Sequence, residues 1–229
     1  MNSLAHVRLM QLASQALPIG GFSHSHGLES AVEHRTVRDE ASTLRFIADV
    51  FEFSMLTCEI PFLMAMERAW AMSVASQEAA LRDLNGEFLA TRETAELRAA
   101  SVQMGYSLRA LLYALPDIPA TCLRTLLAIE DVCLPCAWSA AAAAWQIESR
   151  ESALGYAWSW AENQVLAAMK TVPLGQSGGQ RVLLELGTRM ARGLAESIRD
   201  LETGISNFTP ALAILSARHE TQYSRLFRS

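Results

Sequence analysis

The stretch from Leu44 to Cys58, L-R-F-I-A-D-V-F-E-F-S-M-L-T-C, decides the fold class. Its apolar residues Leu44, Ile47, Phe51, Met55 and Cys58 follow one another at steps of three and four. A helix brings residues so spaced to one side, so this stretch reads as a helix with one buried face. The same spacing recurs at Leu81, Leu84 and Phe88, and at Leu97, Met104, Leu108, Leu111 and Leu115. It recurs again at Val182, Leu183, Leu186, Met190, Leu194, Ile198 and Leu201. No run alternates apolar and polar residues with β-branched content, so strands are not expected. Breaks fall at Leu17-Pro18-Ile19-Gly20-Gly21, at Leu115-Pro116-Asp117-Ile118-Pro119, at Thr171 to Gly179 and at Asn207 to Pro210. Ser23 or Ser25 can cap the helix that carries Glu29, and Pro135 suits the first turn of an alanine-rich helix. No linker announces a domain boundary. The expected fold is all-α, a single domain over 1–229 with about eight to ten helices.

Composition narrows the functional classes. Of the 229 residues, 51% are hydrophobic and 19% charged, which suits a packed core and argues against disorder. A net charge of −5 without a basic face argues against nucleic acid. The uncharged run Val132 to Trp145 is too short to span a bilayer and reads as a buried helix, so no membrane role is expected. No signal peptide is expected either, because the first apolar run is broken by Gln11, Ser14 and Gln15. Four cysteines in a chain of this length make no disulfide framework, and a reducing, cytoplasmic setting follows.

Three patterns resemble reactive sites. Gly175-Gln176-Ser177-Gly178-Gly179 fits a nucleophile elbow, with Asp200 and His219 following in hydrolase order. The elbow needs a strand before it, whereas Ala167 to Lys170 reads as the end of a helix. The competing view is a glycine-rich connection that lets two helices approach closely. The same segment lacks the Lys-Ser/Thr pair of a phosphate-binding loop. Cys133-Leu134-Pro135-Cys136 has redox spacing but no strand context and no second cysteine pair, and small buried residues at a helix start explain it better. His24 and His26 flank a glycine loop, and His26, Glu29 and Glu33 could share a helical face. That makes His24 and His26 candidates for loose contact with nickel or zinc.

The segment Glu220 to Ser229, E-T-Q-Y-S-R-L-F-R-S, sets Arg225 and Arg228 among Tyr223, Leu226 and Phe227, with Arg218 just before it. Aromatic, leucine and arginine side chains are what contact cores between proteins favour, so this tail reads as a docking element. Arg225 and Arg228 could hold a partner's carboxylates and Phe227 could fill its pocket. The alternative is that the tail packs on the chain's own surface.

Four segments in order resemble one family. They run from Leu12 to Glu29 (L-A-S-Q-A-L-P-I-G-G-F-S-H-S-H-G-L-E), through Arg92-Glu93-Thr94 with Leu97-Arg98 and Gln103-Met104-Gly105, to Lys170 to Arg181 (K-T-V-P-L-G-Q-S-G-G-Q-R) and Arg218 to Ser229. The chain is similar there to the UreF family of urease accessory proteins. That resemblance implies an all-α homodimer in a cytoplasmic complex with UreD, called UreH in some species. It implies recruitment of the GTPase UreG, delivery of nickel to apo-urease, and no catalysis of its own. It marks Arg218, His219, Glu220, Tyr223, Ser224, Arg225, Leu226, Phe227 and Arg228 as facing UreD, and Gly20, Gly21, Phe22 and Glu29 as communicating with UreG. Lys170, Gln176 and Gln180 join the partner-binding set, the glutamines as neutral and adjustable contacts. No tightly bound cofactor is expected, only nickel in transit. A helical adaptor unconnected with nickel, or a serine hydrolase using Ser177, are the competing functions.

Overall fold

A computed structural model describes residues 2–197 and 204–229, and among these there are helices and no strand. In chain order they are α1 (Ser3–Leu12), α2 (Leu28–Glu33), α3 (Glu40–Val50), α4 (Ile60–Trp70), α5 (Val74–Ala90), α6 (Ala95–Ala114), α7 (Ala120–Leu127), α8 (Leu134–Ala144), α9 (Ser149–Thr171), α10 (Gly175–Ser197) and α11 (Pro210–His219). Ile198, Asp200 and Leu201 lie outside the described residues. The expected all-α architecture is the one observed.

Local chemistry explains the boundaries. Asn2 starts α1 by accepting from the Ala5 N–H at 2.8 Å. Asp39 and Ser42 form a reciprocal capping box at the head of α3. Thr94 caps α6 through the Leu97 N–H at 3.2 Å. Proline sits in the first turn of α4, α8 and α11, where its missing N–H costs nothing. Pro210 therefore opens a helix, although the sequence presented it as the end of one. Ser25 is not the cap of α2; that position belongs to Gly27 at φ +81°. The Ser25 hydroxyl still accepts from the Glu29 N–H at 3.3 Å.

Leu44 to Cys58 is helical, but its winding changes midway. Between α3 and α4, residues Phe51–Glu59 form a π-helix, so α3 and α4 read as one rod with a widened middle. Ile47, Phe51, Met55 and Cys58 all face the core. A 206–207 segment buttresses the widened turns. The Ser206 N–H donates to the Thr57 carbonyl at 2.9 Å, and the Ser54 hydroxyl donates to Asn207 Oδ1 at 3.0 Å.

The core gathers around α8, which is buried over nearly its whole length and packs on α4 and α6. Trp138 at its centre donates to the Ser152 hydroxyl at 3.1 Å. Gly105 lets α6 press on the chain entering α8: a Cβ there would lie 2.2 Å from the Val132 carbonyl oxygen. Long helices α9 and α10 pack on each other across the Gly178-Gly179 turn, where a Cβ on Gly179 would meet Met169 Sδ at 2.6 Å. The close approach expected of that glycine pair is thus present. A smaller cluster of Leu28, Ala31, Ala167, Ala168, Val172 and Leu215 forms beside the main core, beneath the tail.

Candidate docking surface

The glycine loop before α2 is folded by its own backbone and stapled from below. Gly20 takes φ +75°, and the Ser23 N–H and hydroxyl both bond to its carbonyl, at 3.0 and 2.7 Å. Asn163, buried on α9, donates through Nδ2 to the Gly21 carbonyl at 2.8 Å and the His24 carbonyl at 3.0 Å. Phe22 is left exposed at the loop's crest. Under it lies a cavity of about 80 Å³, lined by Phe22, His26, Glu59, Arg92, Tyr156 and Asn163 among others. Its polar wall is a closed network. Arg92 Nη1 meets Glu59 Oε1 at 2.8 Å, and the Tyr156 hydroxyl donates to Glu59 Oε2 at 2.7 Å. The Arg92 guanidinium also stacks 4.5 Å from the Phe88 ring centroid.

The tail does not project. It folds back across the glycine loop and α2. The Leu226 and Phe227 N–H groups donate to the two oxygens of Glu29 at 2.7 and 2.9 Å. The Arg228 N–H donates to the Ser23 carbonyl at 2.8 Å. The Ser229 carbonyl receives the Ser25 hydroxyl at 2.7 Å and the Ser25 and His26 backbone N–H groups. Phe227 is 5% exposed, in the smaller apolar cluster, with Lys170 Nζ 5.4 Å from its ring centroid. Arg225 Nη1 bonds Glu96 at 2.8 Å. His219, with no exposed surface, places Nδ1 2.7 Å from Glu96 and Nε2 3.1 Å from Glu29.

These facts correct part of the sequence-based expectation. Phe227 fills a pocket of its own chain, and Arg225 reaches its own chain's Glu96. Glu29 and His219 face inward and are spent on holding the tail. What remains outside is Tyr223, fully exposed, and Leu226, at 63%. Arg218, Glu220, Ser224, Arg225, Arg228 and Lys170 are also at the surface. Gln176 and Gln180 are exposed on the opening turns of α10. Gly20, Gly21 and Phe22 border the tail through Ser23, so loop and tail make one continuous surface.

The metal and catalytic candidates fare differently. His26 precedes α2 at φ +49°, Glu33 is exposed at the far end of that helix, and the Glu29 carboxylate is committed to the tail. The expected shared face of His26, Glu29 and Glu33 does not form. His24 and His26 instead stack, with ring centroids 6.0 Å apart and planes 6° from parallel. Burial lowers the His24 imidazole to about 3, helped by His26 and Arg228, and lowers His26 to about 4, helped by Arg92. Both rings are therefore neutral at pH 7. Among the described residues no group of three or more His, Cys, Asp or Glu side chains is arranged to hold a metal ion.

Ser177 is exposed in the first turn of α10, with no strand before it, and both nitrogens of His219 are engaged by glutamates. The serine–histidine contact of a hydrolase is absent. Cys133 and Cys136 are fully buried free thiols. Burial pushes Cys133 well above the ordinary thiol range and Cys136 up to about 12, opposite to an activated redox pair.

Sequence reasoning missed Asn163, Glu59, Tyr156 and Glu96. A polar residue in an otherwise buried helical face was the available signal for Asn163, since such a group must find partners. Glu59 and Glu96 look in sequence like any surface glutamate.

The chain has close relatives of known name. A model of the UreF family matches residues 37–187. The urease accessory protein UreF of Dechloromonas aromatica (strain RCB) is 51% identical over 223 residues, covering 97% of this chain and 96% of the relative. That of Azoarcus sp. (strain BH72) is 51% identical over 227 residues, covering 97% and 95%. That of Cupriavidus necator is 45% identical over 226 residues, covering 97% of each.

Proposed function

The chain belongs to the UreF family of urease accessory proteins, and from that premise we propose that it works as a docking subunit in urease maturation. It binds UreD (UreH) and recruits the GTPase UreG, so that nickel passes to apo-urease through the assembly. The observation that carries this reading is the two-layered tail. Glu29, His219 and Phe227 fix its inner side to the body, while Tyr223 and Leu226 of the tail, like Phe22 of the glycine loop, stand exposed. A rigidly held apolar and aromatic surface loses little conformational freedom on binding, which favours affinity. Nickel is cargo here. Two neutral imidazoles without a third ligand suit brief contact better than capture.

The reading includes a homodimer. The outer face of α1 exposes Leu4, Val7 and Met10, a stripe suited to pairing with its copy about a two-fold axis. The cytoplasm is the proposed site of action. Among the described residues no helix is long and apolar enough to cross a membrane.

The test is co-expression with tagged UreD. Tyr223→Ala combined with Leu226→Ala should leave the helical circular dichroism unchanged and cut capture by at least about tenfold, the effect of removing a hot spot near 1.4 kcal/mol. Unchanged capture would remove the tail from the interface.

A further inference from the structure

We propose that Asn163 positions the glycine loop, holding from one side-chain amide the two carbonyls that bracket its exposed phenylalanine. That Phe22 so placed meets a partner rests on the docking reading above; the holding itself does not.

The loop takes its shape and its place from different bonds. Shape is internal. Gly20 turns the chain at φ +75°, the Ser23 N–H and hydroxyl bond the Gly20 carbonyl, and the His24 N–H bonds the Gly21 carbonyl at 3.0 Å. None of these ties the loop to the rest of the molecule. Place comes from two sides. From above, the tail donates the Arg228 N–H to the Ser23 carbonyl at 2.8 Å and sets Ser229 Oγ 2.8 Å from His24 Nδ1. From below, Asn163 Nδ2 donates to the Gly21 carbonyl at 2.8 Å and the His24 carbonyl at 3.0 Å. Among the described residues these two are the hydrogen bonds that the helical body makes to residues 20–24.

Packing does little to replace them. The cavity of about 80 Å³ lies beneath the loop, and Phe22 itself is exposed. A Cβ built on Gly21 would touch Met104 Sδ at 3.8 Å and nothing nearer. A segment spanning a void has few atoms to lean on, so its directional bonds decide where it stands.

The residue type matters as much as the position. Asparagine carries two N–H groups on a single nitrogen, and both are spent on the loop. Turning the amide over would aim its oxygen at two carbonyl oxygens, so its orientation is fixed by what it holds. Aspartate has the same shape and, when ionised, no proton to give. Asn163 is buried in a stretch of α9 whose Ala161, Val165 and Ala167 are buried too, where an amide has to find its partners inside the protein. The next residue, Gln164, is also buried and places Nε2 3.4 Å from His26 Nδ1, just past the loop. Consecutive amides on α9 thus form the seat of the loop, with Asn163 under its crest. Phe22 is presented from a fixed base, and a partner does not have to order it. Without the two donors the turn would keep its internal bonds but drift, hung from the tail.

The test uses Asn163→Asp in the full chain. Backbone order parameters at Gly21 to His24 should drop from the rigid range, about 0.85, to below about 0.6, with helical circular dichroism retained. Capture of UreG is then measured with the chain loaded equally on tagged UreD. Asn163→Asp should lower it about tenfold or more, as Phe22→Ala should, the step for loss of a hot spot. The two combined should do no worse than Phe22→Ala alone, because the amide acts through that ring. A general loss of structure at position 163 would instead give losses that multiply. Unchanged order parameters, undiminished capture where Phe22→Ala loses it, or multiplying losses overturn the proposal. A loosened loop with undiminished capture in Phe22→Ala would leave Asn163 as the loop's holder and remove the loop from the docking reading. Should Asn163→Asp not fold, the wild-type side-chain amide decides: slow exchange of both Nδ2 protons supports the assignment, and either one exchanging as fast as an exposed amide overturns it.

Discussion

Replacing Phe227 with alanine separates a tail that belongs to the body from one that waits for a partner. The ring is 5% exposed and sits among Leu28, Ala31, Ala167, Val172 and Leu215, with Lys170 over its face. Truncating a buried phenylalanine costs about 3–5 kcal/mol in transfer and cavity terms, and the lost cation–π contact adds about 0.5–1 kcal/mol. The tail sits at the edge of the fold, so the global loss is capped by whatever holds the tail down. Once the variant prefers a free tail, further weakening no longer registers in the body. Two assays read the two parts. Urea unfolding followed by circular dichroism should show a loss of no more than about 3–5 kcal/mol with helix content retained. Limited proteolysis should cut after Arg225 or Arg228 far sooner than in the wild type. Tyr223→Ala, at a fully exposed position, should change neither by more than about 0.5 kcal/mol. Wild-type stability together with a wild-type cleavage rate in Phe227→Ala would refute the placement of the ring in the interior.

Other expectations can be checked as directly. His24 and His26 are held neutral in the folded chain, at about 3 and about 4 against 6.5 in the unfolded chain. The unfolded chain then binds more protons below pH 6.5, so the stability these rings contribute is full above that pH and falls as pH drops towards 4. At pH 5 buried His24 alone costs about 2 kcal/mol and the partly exposed His26 less, and His24→Gln should flatten the slope in a urea titration across pH 7 to 5. An unchanged slope would contradict the neutral, buried ring. Gly105→Ala should cost about 3 kcal/mol or prevent folding, because the new methyl meets backbone atoms at 2.2 Å and 2.6 Å. Gly86→Ala, with nothing within 4 Å, should instead stabilise α5 by about 0.5–1 kcal/mol in thermal melts. Finally, native-state alkylation at pH 8 should leave Cys133 and Cys136 unmodified while urea exposes both; rapid native labelling would reopen the redox reading.

The helical fold was legible because its signal is local. Steps of three and four from Leu44 to Cys58 survive even where the backbone widens into a π-helix, since Ile47, Phe51, Met55 and Cys58 still turn inward. The widening itself was not legible. It depends on Ser206 and Asn207 bracing Thr57 and Ser54 from far along the chain. The tail shows the same division. Its composition marked an element built for contact, and the contact seen is with the chain's own body. Which side chains turn inward was decided by Glu29, 198 positions from Phe227, and by His219 between two glutamates. Amphipathic composition gives the number of buried side chains but not whose surface buries them. Ser177 and the cysteine pair failed as sites for a matching reason: each had the right residue types without the neighbouring strand, base or charge that makes such residues reactive.

Amide exchange of the purified chain with and without UreD tests the central claim, that this tail is anchored inside and receptive outside. The account predicts that the Leu226 and Phe227 amides are already slow in the free chain. Adding UreD should bring new protection around Tyr223 and at the Phe22 loop. A complex that forms with no change in either segment would contradict it.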